Sequence, residues 1–195
     1  GGTATDENGT GAQSGQATTV SGEIVAGGST STKNIMEATL DEFAALNPDV
    51  TAEYNATGSS DGVKNADSGV YQIGTASRNI KEEEKALGLT EEIFAYDGIA
   101  AIVHPANKVK DITVEQLAQI YKGEITNWKD LGGEDAQIVV VSREDGSGTR
   151  GAFEEIVGFE EELTANATIA EGNGNVQSTV AENENTIGYV SFTYI

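Results

Sequence analysis

Strand and helix patterns alternate along this chain, which predicts an α/β protein built on parallel sheets. Three observations carry that expectation. Short apolar or β-branched runs end in glycine-rich turns, helical periodicity resumes after each turn, and no internal period of about 20–50 residues recurs. In folds of this kind ligands gather at the carboxyl ends of the strands.

Residues 1–22 are mostly Gly, Thr, Ala, Ser and Gln with almost nothing to bury, and read as a flexible tether. Residues 23–26 form a short apolar strand. A helix over residues 32–46 follows, with Met36, Leu40, Phe43 and Ala44 on one face. Asn47-Pro48-Asp49 ends it and starts a strand at residues 50–54. Gly58-Ser59-Ser60 opens a short helix, and residues 71–76 read as a third strand. Residues 93–103 form one long apolar run, expected as a single strand stopped by Pro105. Thr113 and Gln116 make a capping box ahead of Leu117, Ile120 and Tyr121, with Gly123 as the stop. Residues 138–141 are a buried β-branched strand, followed by a helix carrying Phe153, Ile156 and Val157. A last helix around residues 176–180 leads to a terminal strand at residues 186–195.

Composition removes several classes of function. The net charge of −21 argues against nucleic acid and anionic membranes, which need a basic surface. Short-range hydrogen bonds in a closed site can still hold a small anion, because long-range fields are screened within about 10 Å. There is no cysteine and one histidine, His104, expected as a surface residue at a strand end. That removes disulfides, thiol nucleophiles and structural zinc, and no cofactor is called for. The phosphate-binding loop pattern G-x-x-x-x-G-K is absent. The 32 acidic residues leave carboxylate-pair chemistry open by spacing, though most must be solvated surface. No apolar run reaches the about 18 residues needed to span a bilayer. The chain begins at Gly1 without methionine, which fits a processed N-terminus.

One device occurs three times: a strand runs into a Gly/Ser/Thr turn that opens a helix. The turns are residues 27–31, 58–62 and 145–150. A helix N-terminus presents unpaired N–H groups and the positive end of the dipole, glycine admits close approach, and hydroxyls add uncharged donors. Each turn alone reads as ordinary capping, but three of them, two with arginine nearby, predict convergence on one oxyanion. All three arginines, Arg78, Arg143 and Arg150, lie in Ser/Thr/Gly-rich stretches. Arg143 follows a buried strand, so it is expected to grip two oxyanion oxygens, with Asp145 as its orienting partner. Arg78 follows the same logic. Arg150 is expected to pair with Glu154 one helical turn on.

These strings resemble those of the periplasmic or lipid-anchored phosphate-binding proteins of bacterial phosphate importers. They are Gly28-Ser-Thr-Ser31, Thr57-Gly-Ser-Ser60, Thr75-Ala-Ser-Arg78, Ala95-Tyr-Asp-Gly98, Ile125-Thr-Asn-Trp128, residues 141–150 and Ile187-Gly-Tyr-Val190. The likeness runs in consistent order from residue 21 to residue 195, and Arg-x-Asp-Gly-Ser-Gly-Thr is its most specific part. It implies a two-lobed, type II periplasmic-binding-protein fold that closes on inorganic phosphate and delivers it to a membrane permease of the ATP-driven (ABC) class. It places Thr30, Ser31, Ser59, Arg143, Ser147, Gly148 and Thr149 on phosphate. Where some members carry a proton-accepting aspartate this chain has Ser77, followed by Arg78, so Asp97 is the candidate replacement acceptor.

The resemblance also implies a division: a first lobe at residues 23–97, a second at residues 98–188, and residues 189–195 starting back toward the first. Members continue further, so the first lobe is expected to lack its C-terminal part. Another chain, either that missing segment or a neighbouring copy, is then expected to cover its exposed apolar surface. The expected protein is extracytoplasmic, lipid-anchored and without catalytic activity. Sulfate or molybdate as ligand is the alternative, as is a sensor or adhesion module that reuses the fold. An enzyme acting on phosphate esters ranks behind both, because no nucleophile–base pair is visible.

Overall fold

A computed structural model describes residues 19–195. Most of the expected tether lies outside the described residues. Two sheets organise the rest. The first is parallel, with β1 (Gly22–Gly28) between β2 (Val50–Ala56) and β3 (Ile73–Thr75). Helix α1 (Lys33–Leu46) joins β1 to β2, and α2 (Ser59–Ser68) joins β2 to β3. Met36 and Leu40 of α1 pack on Ala26, so the 3.6-residue spacing of the sequence becomes the buried face. Phe43, on the expected face, stays 40% exposed.

Helix α2 approaches its sheet through glycine. A Cβ on Gly62 would lie 2.5 Å from Thr75 O, and one on Gly74 would lie 2.2 Å from Gly62 O. This contact fixes the N-terminus of α2 at the carboxyl edge of the sheet. A short helix, α3 (Glu82–Lys85), follows.

The second sheet has the order β4-β7-β5-β6: β4 (Ile99–Val103), β7 (Thr186–Ser191), β5 (Val139–Arg143) and β6 (Thr168–Ala170). It is mixed rather than parallel, because β4 runs antiparallel to β7. The reason is topological: β4 brings the chain into this sheet and β7 takes it back toward the first. Helices α4 (Val114–Tyr121), α5 (Gly148–Val157) and α6 (Gly172–Glu182) cover it. The capping box of α4 is present, with Thr113 Oγ1 accepting from Gln116 N–H (3.0 Å) and Gln116 accepting from Thr113 N–H (2.9 Å). One face buries Leu117, Ile120, Tyr121, Trp128, Phe153, Phe159 and Tyr189; the other buries Val141, Val176, Val180 and Val190.

Two expected strands are shorter than their apolar runs. Residues 93–98 have no regular structure, and Ile93, Phe94 and Tyr96 are exposed. They bridge two sheets where no neighbouring strand offers its backbone, so pairing begins only at Ile99. The terminal strand stops at Ser191, whose hydroxyl accepts from Thr193 N–H (3.2 Å) and turns the chain into one 3₁₀ turn, Phe192–Tyr194.

Candidate functional site

The carboxyl edges of both sheets face each other, and four helix N-termini meet there. Gly28 ends β1 at φ +136, where a Cβ would lie 2.2 Å from Thr75 O, so glycine is required for the turn into Ser29, Thr30 and Ser31. Tyr54 braces this turn by donating to Ser29 O (2.6 Å), and burial pushes its phenol pKa up. Ser59 opens α2, and Ser77 follows β3. From the second sheet come Arg143 at the end of β5, Ser147 to Thr149 opening α5, and Asn173 opening α6.

Contacts across the sheets are direct. Ser31 Oγ lies 2.6 Å from Thr149 Oγ1, and Ser77 Oγ lies 3.4 Å from the same atom. Ser60 N–H donates across to Gly146 O (3.1 Å), while within the first sheet's edge Ser77 N–H donates to Ser59 Oγ (3.0 Å). Gly148 has no room for a side chain: its Cβ would lie 2.0 Å from Ser59 Oγ and 2.7 Å from Ser77 Oγ. Ser147 caps α5 by accepting from Arg150 N–H (3.1 Å).

Arg143 supplies the charge. Its side chain is 2% exposed, and its backbone N–H donates to Tyr189 OH (3.3 Å) beside the Ser142–Tyr189 hydroxyl contact (2.9 Å). Burial pushes the Tyr189 pKa up to about 12, so the phenol stays neutral. The guanidinium donates through Nε to Glu144 (2.7 Å) and through Nη2 to Thr30 Oγ1 (3.3 Å). Its Nη1 is buried with no hydrogen-bond partner among the described residues. An unpaired buried guanidinium N–H is energetically unfavourable, by about 1–3 kcal/mol or more for a charged group, so this one is free to donate to an acceptor oxygen brought into the site.

The structure therefore brings together Thr30, Ser31, Ser59, Ser77, Arg143, Ser147, Gly148 and Thr149. Arg78 and Asp97 stand outside that ring. Arg78 pairs with Glu84 (2.6 Å) and donates to Ser60 Oγ (3.1 Å), which holds Glu84 below the usual carboxylate range. Asp97 accepts from Gly98 N–H (2.8 Å) and from Ser191 Oγ, which also contacts Thr193 Oγ1 (2.9 Å) rather than a hydroxyl of the ring. The orienting carboxylate of Arg143 is Glu144, not Asp145. Gly146 turns the chain at φ +87, leaving Asp145 pointing outward to Arg150 (3.1 Å), while Glu144 stays against β5 and also accepts from Gly172 N–H (3.1 Å). Arg150 pairs with Glu154 (3.1 Å) as expected.

Asn173 escaped the sequence reading. Its signal was a fourth strand-to-glycine turn, Gly172-Asn173-Gly174, in which an amide replaces the hydroxyl. Residues 58–62 also spell the G-x-S-x-G pattern of a nucleophile elbow, with Ser60 at its centre. Ser60 Oγ instead accepts from Arg78, and His104, the chain's single histidine, follows β4 in the other sheet with Nδ1 accepting from Ala106 N–H (3.0 Å). Among the described residues no Ser–His pair forms.

Two α/β lobes thus meet at their strand ends around a buried arginine and a ring of hydroxyls. The chain belongs to the PBP superfamily, whose domain model matches residues 12–195. It is 33% identical to the phosphate-binding protein PstS of Bacillus subtilis over 90% of this chain and 59% of that protein. The corresponding protein of Borreliella burgdorferi is 31% identical over 86% of this chain and 63% of its own length. The chain thus spans about three fifths of the curated relatives it matches. Among solved structures, a putative phosphate ABC transporter substrate-binding protein from Clostridium perfringens, with bound phosphate, is 58% identical with a TM-score of 0.87. That match covers 89% of this chain and 72% of the other. An ABC-type phosphate transport receptor from Vibrio cholerae is 34% identical with a TM-score of 0.70, covering 89% and 73%. The two-lobed α/β architecture expected from the sequence is the one these relatives share.

Proposed function

We propose that this chain captures inorganic phosphate between its lobes and hands it to the membrane permease of an ABC importer. The observation that carries the reading is the buried, unpartnered Nη1 of Arg143, set among hydroxyls contributed by both sheets. Phosphate oxygens would accept from Arg143, from Thr30, Ser31, Ser59, Ser77 and Thr149, and from the backbone at Ser147 and Gly148. Ligand and lobe closure are then one event, because the donors come from both sides. The lobes divide near Asp97, as residues 23–97 and 98–188, with residues 189–195 returning to the first. Arg78 and Asp97 act from behind the ring, through Ser60 and Ser191.

The relatives' names support phosphate over sulfate or molybdate. A ring of hydroxyls, one amide and one guanidinium suits capture rather than a reaction. Such a protein works outside the cytoplasm, held to the membrane by a lipid anchor. Among the described residues no helix is long and apolar enough to cross a membrane.

Calorimetric titration with inorganic phosphate, sulfate and molybdate tests this. The expected result is tightest binding of phosphate, with Arg143→Met weakening it by about 2–3 kcal/mol, since a charge-assisted buried contact is lost. Tighter sulfate or molybdate binding would move the assignment to that anion. Silence toward all three would end it.

A further inference from the structure

Asn173 is fully buried at the N-terminus of α6, and its three hydrogen bonds determine which end of its amide is which. Ser191 N–H can only donate, so the Asn173 atom 2.9 Å from it is the carbonyl oxygen, Oδ1. The amide nitrogen therefore faces the other sheet, where it donates to Thr30 Oγ1 (2.9 Å) and Ser31 Oγ (3.1 Å). The preceding residue is held as well, because Gly172 N–H donates to Glu144, the carboxylate that also holds Arg143. One carboxylate thus positions both a guanidinium and an amide, and both of these donate to Thr30 Oγ1.

A hydroxyl has one proton to give and two lone pairs to receive with. Thr30 Oγ1 receives from Asn173 and from Arg143, so its proton is all it has left to offer. Ser31 Oγ receives from Asn173. The rest of the ring is filled from behind in the same sense. Ser59 Oγ receives from Ser77 N–H, and Ser77 Oγ receives from Ser29 Oγ, which itself receives from Ser31 N–H.

We propose that Asn173 is a positioning residue for the anion: its amide, donating across the lobes, completes the filling of Thr30 Oγ1 so that this hydroxyl is an obligate donor toward the ligand, and it occupies one of the two lone pairs of Ser31 Oγ. The inference rests on the oxyanion reading of the site. It assigns Asn173 no direct part in holding phosphate. Its contribution is to remove the acceptor alternative from Thr30 and reduce it at Ser31, and to do so only when the lobes are together.

The test is calorimetric titration of the full chain with inorganic phosphate, across pH, for wild type, Asn173→Asp and Asn173→Ala. Asn173→Asp keeps the carbonyl that receives Ser191 N–H but turns the donor into an acceptor. Near about pH 8 its phosphate affinity should fall on the order of 100-fold, the scale of reversed hydrogen bonds beside a charge. Expressed against wild type at the same pH, part of that loss should return as pH falls toward about 5, because burial beside a bound anion raises a carboxyl's pKa and its protonated form donates again. Asn173→Ala should lose roughly 10-fold with no such recovery. A merely structural role would not produce the pH-dependent return. Wild-type affinity in Asn173→Asp near pH 8, or a loss equal to that of Asn173→Ala at every pH, would overturn the assignment while leaving phosphate capture intact. Failure of the wild type itself to bind phosphate would instead remove the function, and this inference with it.

Discussion

The four-stranded sheet is packed by large side chains, whereas the three-stranded sheet is packed largely by backbone. Around β5 and β7 the rings of Phe153 and Tyr189 stack with centroids 3.9 Å apart, and Tyr121 meets Phe153 edge-on at 5.1 Å. Around β1 the buried apolar cluster among the described residues is small: Ala26, Met36 and Leu40, with Ile24, Ala52 and Tyr54 packed against it. Closeness there comes from glycine: a Cβ on Gly27 would lie 2.5 Å from the Tyr71 ring, and one on Gly74 would meet Gly62 O. The difference follows the division of labour at the site. A buried guanidinium needs rigid, apolar surroundings that fix its direction, and the aromatic cluster provides them under Arg143. Hydroxyls and turn N–H groups need close backbone approach, which glycine allows and bulk would prevent.

The sharpest test of this contrast reverses the sign of the volume change. Phe153→Ala should cost about 3–5 kcal/mol by cavity formation in the aromatic cluster. Gly74→Ala, which adds a single methyl, should cost about 1–3 kcal/mol by overpacking, because backbone must move to admit it. Chemical denaturation measures both. If removing bulk from the second sheet proved harmless, or if Gly74 tolerated alanine freely, the two sheets would not be packed by different means.

The next effect is pH-dependent and belongs to the second sheet. Burial pushes Tyr189 up to about 12 and Tyr121 well above its ordinary range, while an unfolded tyrosine ionises near about 10. Both phenols are neutral in the folded state at pH values where the unfolded chain has already lost those protons. A raised folded-state pKa means full stability below about pH 10, lost progressively as pH rises toward 12. Tyr189 alone corresponds to roughly 2–3 kcal/mol over that window. Tyr189→Phe should flatten the alkaline limb of a denaturation-against-pH curve. An unchanged limb would assign the alkaline loss to other groups, Tyr54 of the first sheet among them, whose phenol burial also shifts upward.

What the sequence made legible was local chemistry; what it concealed was partnership. The hydroxyl turns at Ser29–Ser31, Ser59 and Ser147–Thr149 were readable because a glycine followed by a capping residue is a signal contained in four or five residues. The helix face of Met36 and Leu40 was readable from spacing alone. Residues 93–98 were misread because an apolar run does not say whether a neighbouring strand exists to pair with it. Glu144 was passed over for Asp145 because the choice depends on which side of the Gly146 bend each carboxylate lies. Asn173 was missed because its partners, Thr30 and Ser31, are more than 140 residues away in sequence.

The smallest expected effect concerns the outer face of α1, and it separates the two sheets by what they leave uncovered. On this one helix Met36 and Leu40 are buried, while Ile35, Phe43 and Leu46 are 47%, 40% and 70% exposed and line a shallow apolar groove with Ala38. On the helices of the second sheet Val114 and Ile156 are exposed singly. Exposed side chains that pack against nothing contribute little to stability, so Phe43→Ser combined with Leu46→Ser should move the unfolding free energy by less than about 0.5 kcal/mol. Leu40→Ala, one turn away on the buried face, should cost about 2–5 kcal/mol. The two measurements share a helix and differ in face, and helix-propensity differences among these residues amount to only a few tenths of a kcal/mol. A loss of more than about 2 kcal/mol in the double serine variant would mean that Phe43 and Leu46 are covered in solution. Analytical ultracentrifugation of that variant beside the wild type would then show whether the cover is a second copy of this chain.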